Sequence, residues 1–289
     1  MKRRHFLAHL GHLAAAGAAI PFANAGEFTG RIYKAVKVTM IRGKMPVLDQ
    51  FKIAQDAGFD GISLFAPDRF DLKESLIALD KTGVRIHNVN NAVHWKVRLS
   101  DADAGVQKQA VQALKDTIQF AHDCGADSML CVNGKVTDEK RENHEQVRTR
   151  SLAGIRAALP LAARLGVRIL CENVGNGFCP DARQWADYID EFDTPFVGAF
   201  FDIGNHHGYK GAPHWIRTLG KRVVKIDVKD RNLKTDKNCN LFDGDIDWAE
   251  VRTALRQIRF NGWATAEVQG GDAARIKQVA QRMDRALSI

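Results

Sequence analysis

Short runs of β-branched and aromatic residues alternate with longer amphipathic runs along most of this 289-residue chain, and no other feature limits its fold as strongly. Eight of the short runs have the length and composition of buried strands. They start 23 to 43 residues apart, which leaves room for one helix between each pair. The predicted strands are AVKVTMI (35–41), GISLF (61–65), VRIHNV (84–89), DSMLCV (127–132), VRILCE (167–172), VGAFFD (197–202), VVKIDV (223–228) and WATAEV (263–268).

Strands that alternate with helices pair in parallel, because each helix carries the chain back to the edge where the next strand begins. Such a chain can form an open doubly wound sheet or a closed barrel. The open sheet usually has a glycine-rich phosphate turn after its first strand, whereas here the first run is followed by IRGKMPVLDQ. Eight repeats after residue 25 match the size of a (β/α)8 barrel, about 250 residues. We therefore predict an α/β fold, a single TIM barrel over residues 26–289.

The first 25 residues differ from the rest. Basic residues at 2–4 (KRR) precede an Ala- and Leu-rich run, and ANA at 23–25 closes the segment. This layout is typical of a cleavable secretory signal, and the paired arginines resemble a twin-arginine export signal. We expect residues 1–25 to be removed, the twin-arginine machinery to be a transient partner, and the protein to reach the bacterial periplasm or cell envelope. The alternative is a basic amphipathic anchor that stays attached.

Charge and cysteine content argue against two other classes of protein. The formal net charge is +8, but basic residues do not cluster with aromatic ones, so we expect no nucleic acid as a partner. The five cysteines are an odd number and include no CxxC pair. They therefore indicate neither a disulfide framework nor a thiolate metal site.

Four acidic residues end four consecutive predicted strands: Glu172, Asp202, Asp227 and Glu267. Functional residues of TIM barrels lie at the C-terminal ends of the strands, and neighbouring strands are about 4.8 Å apart. Carboxylates at such distances cannot all stay ionised without a cation among them. The sequence therefore predicts an acidic cluster with a compensating positive charge.

The seventh predicted strand shows which way its charged residues point. Lys225, Asp227 and Lys229 share one face, and the apolar residues between them share the other. The apolar face must pack against the surrounding helices, which sends the charged face into the barrel. Two sources of positive charge stay open: structural ion pairs with Lys225, Lys229 and Arg231, or a divalent metal, for which oxygen ligands suit Mg²⁺ or Mn²⁺.

At these positions the chain resembles the sugar isomerase/epimerase superfamily with xylose isomerase-like barrels, which includes ketose 3-epimerases. The segments that carry the resemblance are CEN (171–173), FFDIGN (200–205), IDVKD (226–230), TAEV (265–268) and the run GDIDWAEVRTALRQIRFNGWATAE (244–267). The resemblance extends over essentially the whole chain after residue 25.

The resemblance implies a divalent metal held by Glu172, Asp202, Asp227 and Glu267, with Glu172 and Glu267 removing and returning a proton through a metal-stabilised enediolate. In most relatives the strand-seven ligand is His. Because Asp227 makes the donor set all-carboxylate, we expect Mg²⁺ or Mn²⁺ in preference to Zn²⁺ or Co²⁺. The predicted substrate is a small carbohydrate, and a homo-oligomer is implied because relatives are often dimers or tetramers. The residues predicted to bind substrate are His94, Trp95, Asn205, His206, Lys229 and Arg231.

Three other functions differ in how well they fit the sequence. A metal-dependent lyase or dehydratase acting on a keto-sugar or keto-glycoside would share the enolate step and the same ligands, so it stays open. A non-catalytic sugar-binding barrel also stays open. A type IV endonuclease fits poorly, because that class needs more His ligands than this chain places at its strand ends.

Overall fold

The computed structural model describes residues 26–206, 208 and 210–289, so the predicted export signal lies outside the described part. Eight strands form the barrel: β1 (Ile32–Lys37), β2 (Gly61–Ala66), β3 (Arg85–Asn91), β4 (Ser128–Cys131), β5 (Arg168–Glu172), β6 (Val197–Asp202), β7 (Val223–Val228) and β10 (Gly262–Ala266). All are parallel, and β1 pairs with both β2 and β10 to close the ring. Between β7 and β10, β8 (Asp230–Asn232) and β9 (Lys237–Cys239) form an antiparallel hairpin. The prediction of a TIM barrel is confirmed.

One helix follows each barrel strand along the chain. The helices are α1 (Val47–Asp56), α2 (Leu72–Thr82), α3 (Ala104–Asp123), α4 (His144–Leu165), α5 (Ala182–Asp190), α6 (Gly211–Leu219), α7 (Trp248–Gln257) and α8 (Ala273–Leu287). An aspartate begins many of them, because its carboxylate accepts hydrogen bonds from backbone N–H groups that the first turn leaves unpaired. These N-cap residues are Asp71, Asp103, Asp181, Asp247 and Asp272. None of the helices in the described part is long and apolar enough to cross a membrane.

The strands bury two faces of different character. Their outward residues, such as Val36 and Ile226, belong to the large apolar core shared with the helices. Inside the barrel, Leu130, Leu170 and Phe200 form a small apolar layer. Lys225 crosses the interior from β7 to the backbone carbonyl of β3 residue His87. The charged face of β7 therefore points inward, as predicted.

The first strand begins and ends earlier than its sequence indicated. It was predicted over 35–41, but β1 ends at Lys37 and a single 3-10 turn follows over Val38–Met40. Two lysines of β1 point to opposite sides of the sheet, since Lys34 contacts Asp284 of α8 and Lys37 contacts Asp227 of β7. Lys37 therefore stands at the strand end, where the acidic residues also lie.

Candidate active site

The four predicted acids come together at the C-terminal mouth of the barrel. Glu172, Asp202 and Glu267 each offer a carboxylate oxygen within 4.8 Å of one another and of an oxygen of Asp227. β5 ends at Glu172 and β6 at Asp202, whose register partner on β7 is Asp227, and Glu267 follows β10 directly. Both aspartates are fully buried. The closed parallel sheet thus gathers side chains that lie up to 95 positions apart in the sequence.

Two buried lysines lie among these carboxylates. The Lys37 ammonium is 2.8 Å from Asp227 Oδ2 and 2.8 Å from Glu267 Oε2. The Lys229 ammonium is 2.8 Å from Asp202 Oδ2 and 3.2 Å from Glu267 Oε2. Each ammonium therefore bridges two carboxylates. Lys229 was predicted on the inner face, whereas Lys37 was not predicted to be part of the site.

The charges of the site shift the pKa of its members in opposite directions. Burial raises the pKa of Glu172 to about 8 and that of Asp202 to about 6. Burial also raises the pKa of Asp227 well above its usual value. Although burial would raise the pKa of Glu267 too, the ammonium groups of Lys37 and Lys229 hold it well below its usual range. At neutral pH the two lysines therefore face a mixture of neutral and ionised carboxyl groups.

Burial and ion pairing act against each other on the lysines. Burial alone would lower the pKa of Lys37, but the carboxylates of Asp227 and Glu267 raise it well above the usual value. The same balance, with Asp202 and Glu267 as partners, raises the pKa of Lys229. Both side chains therefore carry a positive charge at the mouth of the barrel.

A cavity of about 570 Å³ opens above the cluster. Its lining includes Glu172, Glu267, Lys37 and Lys229, but neither Asp202 nor Asp227. The predicted substrate-binding residues that also line it are His94, Trp95, Asn205, Lys229 and Arg231. A small molecule in the cavity would thus meet two carboxylates and two ammonium groups on its floor.

Asn205 connects the acidic and basic halves of this floor. Its amide nitrogen donates to Glu172 Oε1 at 3.2 Å and to the Asn173 carbonyl at 2.8 Å. Its amide oxygen accepts from the Lys229 ammonium at 3.2 Å. The side chain therefore fixes Glu172 and Lys229 relative to each other, while its predicted contact with substrate stays a prediction.

His94 and Trp95 lie in the loop that follows β3 and reach over the cavity. Trp95 is about half exposed, at 52%, and its ring meets the His94 ring edge-on. His94 is buried and accepts a hydrogen bond from the Val132 backbone N–H at Nδ1. Burial lowers the pKa of His94 to about 3, with the Lys37 charge acting in the same direction. The imidazole is therefore neutral, and the half-exposed ring of Trp95 is an aromatic surface available to a ligand.

Glu142, from the segment before α4, anchors this loop. The Arg98 guanidinium donates to both of its carboxylate oxygens, at 3.0 and 2.9 Å. The hydroxyls of Ser100 and Thr137 donate to it as well. Three of these hydrogen bonds, those from Arg98 and Ser100, thus hold the loop carrying Trp95 to the next loop of the barrel, and the bond from Thr137 lies within that next loop.

His206 and Arg231 differ in their relation to the cavity. The His206 ring stacks on Trp215 with centroids 4.4 Å apart, and its Nδ1 lies 3.2 Å from the Asn173 amide nitrogen. His206 is not among the cavity-lining residues. Its contacts are instead with Asn173, which follows β5, and with Trp215 of α6. Arg231 lines the cavity while its guanidinium pairs with Asp236 at 2.6 Å.

The donor set alone would suit a divalent cation. Its ligand atoms are all oxygens, and Asp227 Oδ1 is buried without a hydrogen-bond partner in the described part of the chain. The lysines change this, because Asp202, Asp227 and Glu267 each already have an ammonium within 3.2 Å. With both ammonium groups in these positions, the cluster does not fit a metal ion held by all four carboxylates.

A family model and a curated relative both match most of this chain. A family model described as a xylose isomerase-like TIM barrel matches residues 51–286. An L-ribulose-5-phosphate 3-epimerase, UlaE of Escherichia coli O1:K1 / APEC, is 24% identical over 259 residues, which cover 83% of this chain and 90% of that protein.

Two solved structures have the same fold. The D-allulose 3-epimerase from Methylomonas sp. has a TM-score of 0.75 at 17% identity, covering 89% of this chain and 98% of its own. The IOLI protein, solved with a bound zinc atom, has a TM-score of 0.75 at 15% identity, with the same two coverages. At such identities the likeness concerns the fold.

Proposed function

The chain belongs to the family of xylose isomerase-like TIM barrels, and on this basis we propose that it is a sugar isomerase or epimerase that moves a proton at a carbon next to a carbonyl group. The prediction of an isomerase-like enzyme is confirmed at the level of the family, since the curated relative is a sugar epimerase. The substrate we propose is a ketose or a related hydroxy-carbonyl compound.

One observation carries this proposal: Glu172 and Glu267 face the same cavity, with two ammonium groups beside them. Epimerisation needs one group that removes a proton and another that returns it to the carbon. It also needs positive charge or hydrogen-bond donors near the carbonyl oxygen, where negative charge develops. The cavity floor provides both kinds of group from four side chains.

The proposed reaction begins with proton abstraction by a carboxylate. Glu267 or Glu172 takes the proton from the carbon beside the carbonyl, and the electron pair of that C–H bond forms a carbon–carbon double bond. The carbonyl π electrons move to its oxygen, which gives an enediolate. The other glutamic acid then returns a proton to the carbon, and return to the opposite face inverts the centre.

The loops around the mouth fit a polar ligand with one flat face. Trp95 offers a half-exposed ring above the cavity, which suits stacking on the apolar face of a sugar. Arg231 adds a guanidinium to the lining, which would favour an acidic or phosphorylated sugar. We therefore propose that His94, Trp95, Asn205, Lys229 and Arg231 determine which sugar is accepted.

The metal preference stays a prediction. Any divalent ion that this all-oxygen donor set took up would be Mg²⁺ or Mn²⁺ in preference to Zn²⁺ or Co²⁺. When bound, such an ion would supply a Lewis acid to a carbonyl oxygen. No step proposed above depends on it.

Deuterium exchange tests the proposed function. The protein would be incubated in D₂O with D-allulose, L-ribulose and L-ribulose 5-phosphate, with and without Mn²⁺, and NMR would follow deuterium entering the carbon beside the carbonyl. We expect exchange with net epimerisation, and a loss of roughly 10²–10⁴-fold in Glu172→Gln and Glu267→Gln, because each removes one general acid or base.

A matched control is Glu250→Gln, an exposed residue of α7 that should leave the rate unchanged. Loss of water or of a glycosyl group instead of epimerisation would favour the lyase. Sugar binding that survives both active-site substitutions, without exchange in any variant, would favour the non-catalytic barrel and refute the proposal.

We also propose that residues 1–25 direct export through the twin-arginine pathway and that the folded protein forms a homo-oligomer. The first proposal rests on the sequence of the segment. It predicts that protein recovered from the periplasm begins at Gly26 and that changing Arg3 and Arg4 to Lys stops export. The second is checked by the mass in solution from light scattering.

A further inference from the structure

We propose that Lys37 and Lys229 act in this barrel as built-in cations, so that the site stabilises a developing oxyanion without a bound metal. The stabilisation of an oxyanion by these two lysines rests on the proposed function. The assignment of their ammonium groups to the positions that a metal cation would take does not. Lys37 and Lys229 would then be catalytic residues that contact the substrate, in addition to the two glutamates.

The first support is where the ammonium groups lie. Lys37 Nζ is 2.8 Å from oxygens of both Asp227 and Glu267, and Lys229 Nζ is within 3.2 Å of oxygens of both Asp202 and Glu267. A divalent cation that bound Asp227 Oδ2, Asp202 Oδ2 or Glu267 Oε2 would have to displace an ammonium group from that oxygen. The ammonium groups therefore occupy the cation positions, and Glu267 connects them.

The second support is the order of the groups from the cavity inward. Lys37 and Lys229 line the cavity, whereas Asp202 and Asp227 have no exposed surface and do not line it. The aspartates thus lie beneath the ammonium groups. A substrate oxygen on the cavity floor would meet N–H donors before it met the buried carboxylates.

The third support is that Lys229 is held in place along its whole length. Gly204 lies so close to its stem that an added Cβ would be 2.3 Å from Lys229 Cγ. The ammonium donates to Asn205 Oδ1, which also joins it to Glu172 through the same amide. A donor fixed in this way needs little reorganisation when charge develops next to it, which is the basis of oxyanion stabilisation.

The chemistry balances without another reactant. As a glutamate takes the proton from carbon, the negative charge that forms on the carbonyl oxygen is matched by N–H donors of the two ammonium groups, which keep their protons. Charge-assisted hydrogen bonds of this kind are stronger than neutral ones. When the proton returns to carbon, the electron pair leaves the oxygen and the site regains its starting charge.

Manganese binding gives a direct test that needs no substrate. Full-length protein treated with chelator would be titrated with Mn²⁺ and followed by the electron paramagnetic resonance signal of free Mn²⁺. We expect no stoichiometric binding by the wild type. Lys37→Met should bind Mn²⁺ roughly a hundredfold more tightly than the wild type does. The substitution removes a positive charge in contact with Asp227 and Glu267 and leaves the position of the ammonium group free for the metal ion.

The matched control is Lys34→Met. Lys34 is also a buried lysine of β1, but it pairs with Asp284 on the outer side of the sheet. Lys34→Met should bind Mn²⁺ no better than the wild type. Lys37→Arg, which keeps the charge, should resemble the wild type as well, and circular dichroism would establish that each variant is folded.

The exchange assay supplies the second readout. Wild-type exchange should be unchanged by EDTA and lost in Lys37→Met. The proposal is overturned if the wild type binds one Mn²⁺ per chain, or if chelation abolishes exchange and Mn²⁺ restores it. Absence of exchange with every sugar would count against the proposed function alone, because the Mn²⁺ titration still decides whether the lysines hold the cation positions.

Discussion

The buried carboxylate of Glu142 should contribute more to stability than any exposed acid of the chain. It is 3% exposed and accepts four hydrogen bonds, two of them from Arg98 and the others from Ser100 and Thr137. Glu142→Gln keeps the shape of the side chain but replaces one acceptor oxygen by a donor and removes the charge. The positive charge of Arg98, whose side chain is 22% exposed, then loses the negative charge of Glu142 as its partner.

The expected cost follows from these contacts. A hydrogen bond to a charged group contributes about 1.5–3 kcal/mol, and such contributions do not add fully. Because Arg98 can still reach water, we expect about 3 kcal/mol in the free energy of unfolding, below the upper range for a broken buried pair. For a chain of this size that corresponds to a melting temperature lower by roughly 5 °C.

The pH dependence provides a second check. Although burial raises the pKa of Glu142, its bonds with Arg98, Ser100 and Thr137 bring it below the usual value. A lowered folded pKa contributes stability above the unfolded value of about 4.3, and this is lost as the pH falls through the folded pKa. The difference between wild type and Glu142→Gln should therefore be largest at neutral pH and shrink below pH ~4.

Urea unfolding followed by tryptophan fluorescence would measure both effects. The control is Glu250→Gln, whose pair with Arg217 is exposed and should change the free energy by less than about 1 kcal/mol. If Glu142→Gln and Glu250→Gln cost the same at neutral pH, or if the cost of Glu142→Gln were undiminished in acid, the buried ion pair would not have the strength inferred from its contacts.

Three further predictions concern other parts of the molecule. Burial lowers the pKa of Lys225 to about 8, so between pH 8 and 10 the unfolded chain binds more protons there. Wild-type stability measured by urea unfolding should therefore rise relative to Lys225→Met by up to roughly 3 kcal/mol over that range. Asp230→Asn should cost about 2 kcal/mol in the same assay, because buried Asp230 accepts from the backbone of Phe242 and the indole of Trp248. Trp95→Ala should raise KM in steady-state kinetics with little change in melting temperature, since half of its surface is exposed; an unchanged KM would contradict the stacking role.

The barrel was predictable because its signal is repeated eight times. The strand VVKIDV was placed at 223–228 and VGAFFD at 197–202, where β7 and β6 lie. For β6 the charged end made the boundary clear, since its apolar run stops at Asp202. The first strand had no such mark, because Val38 and Met40 continue the apolar pattern into a 3-10 turn.

That boundary error hid Lys37. In a strand over 35–41 this lysine would lie near the start, far from the mouth, whereas in β1 it is the last residue. The alternation of faces could have suggested an inward lysine, since Ala35 and Lys37 share a face opposite Val36. A closed barrel places its first strand beside its last, so Glu267 could have been suspected as a partner of Lys37, whereas Asp227 lies two strands away on β7. The position of His206 could not be predicted for a similar reason, since its stacking on Trp215 is a contact between residues of the folded chain.

The pairing of β1 with β10 has a consequence for the charge of the site. All four acids come from β5, β6, β7 and the end of β10, together with one of the two lysines, while the other lysine comes from β1. A fragment holding only the second half of the ring would crowd four acids around a single ammonium. The charge balance of the centre is therefore a property of the complete circle of strands.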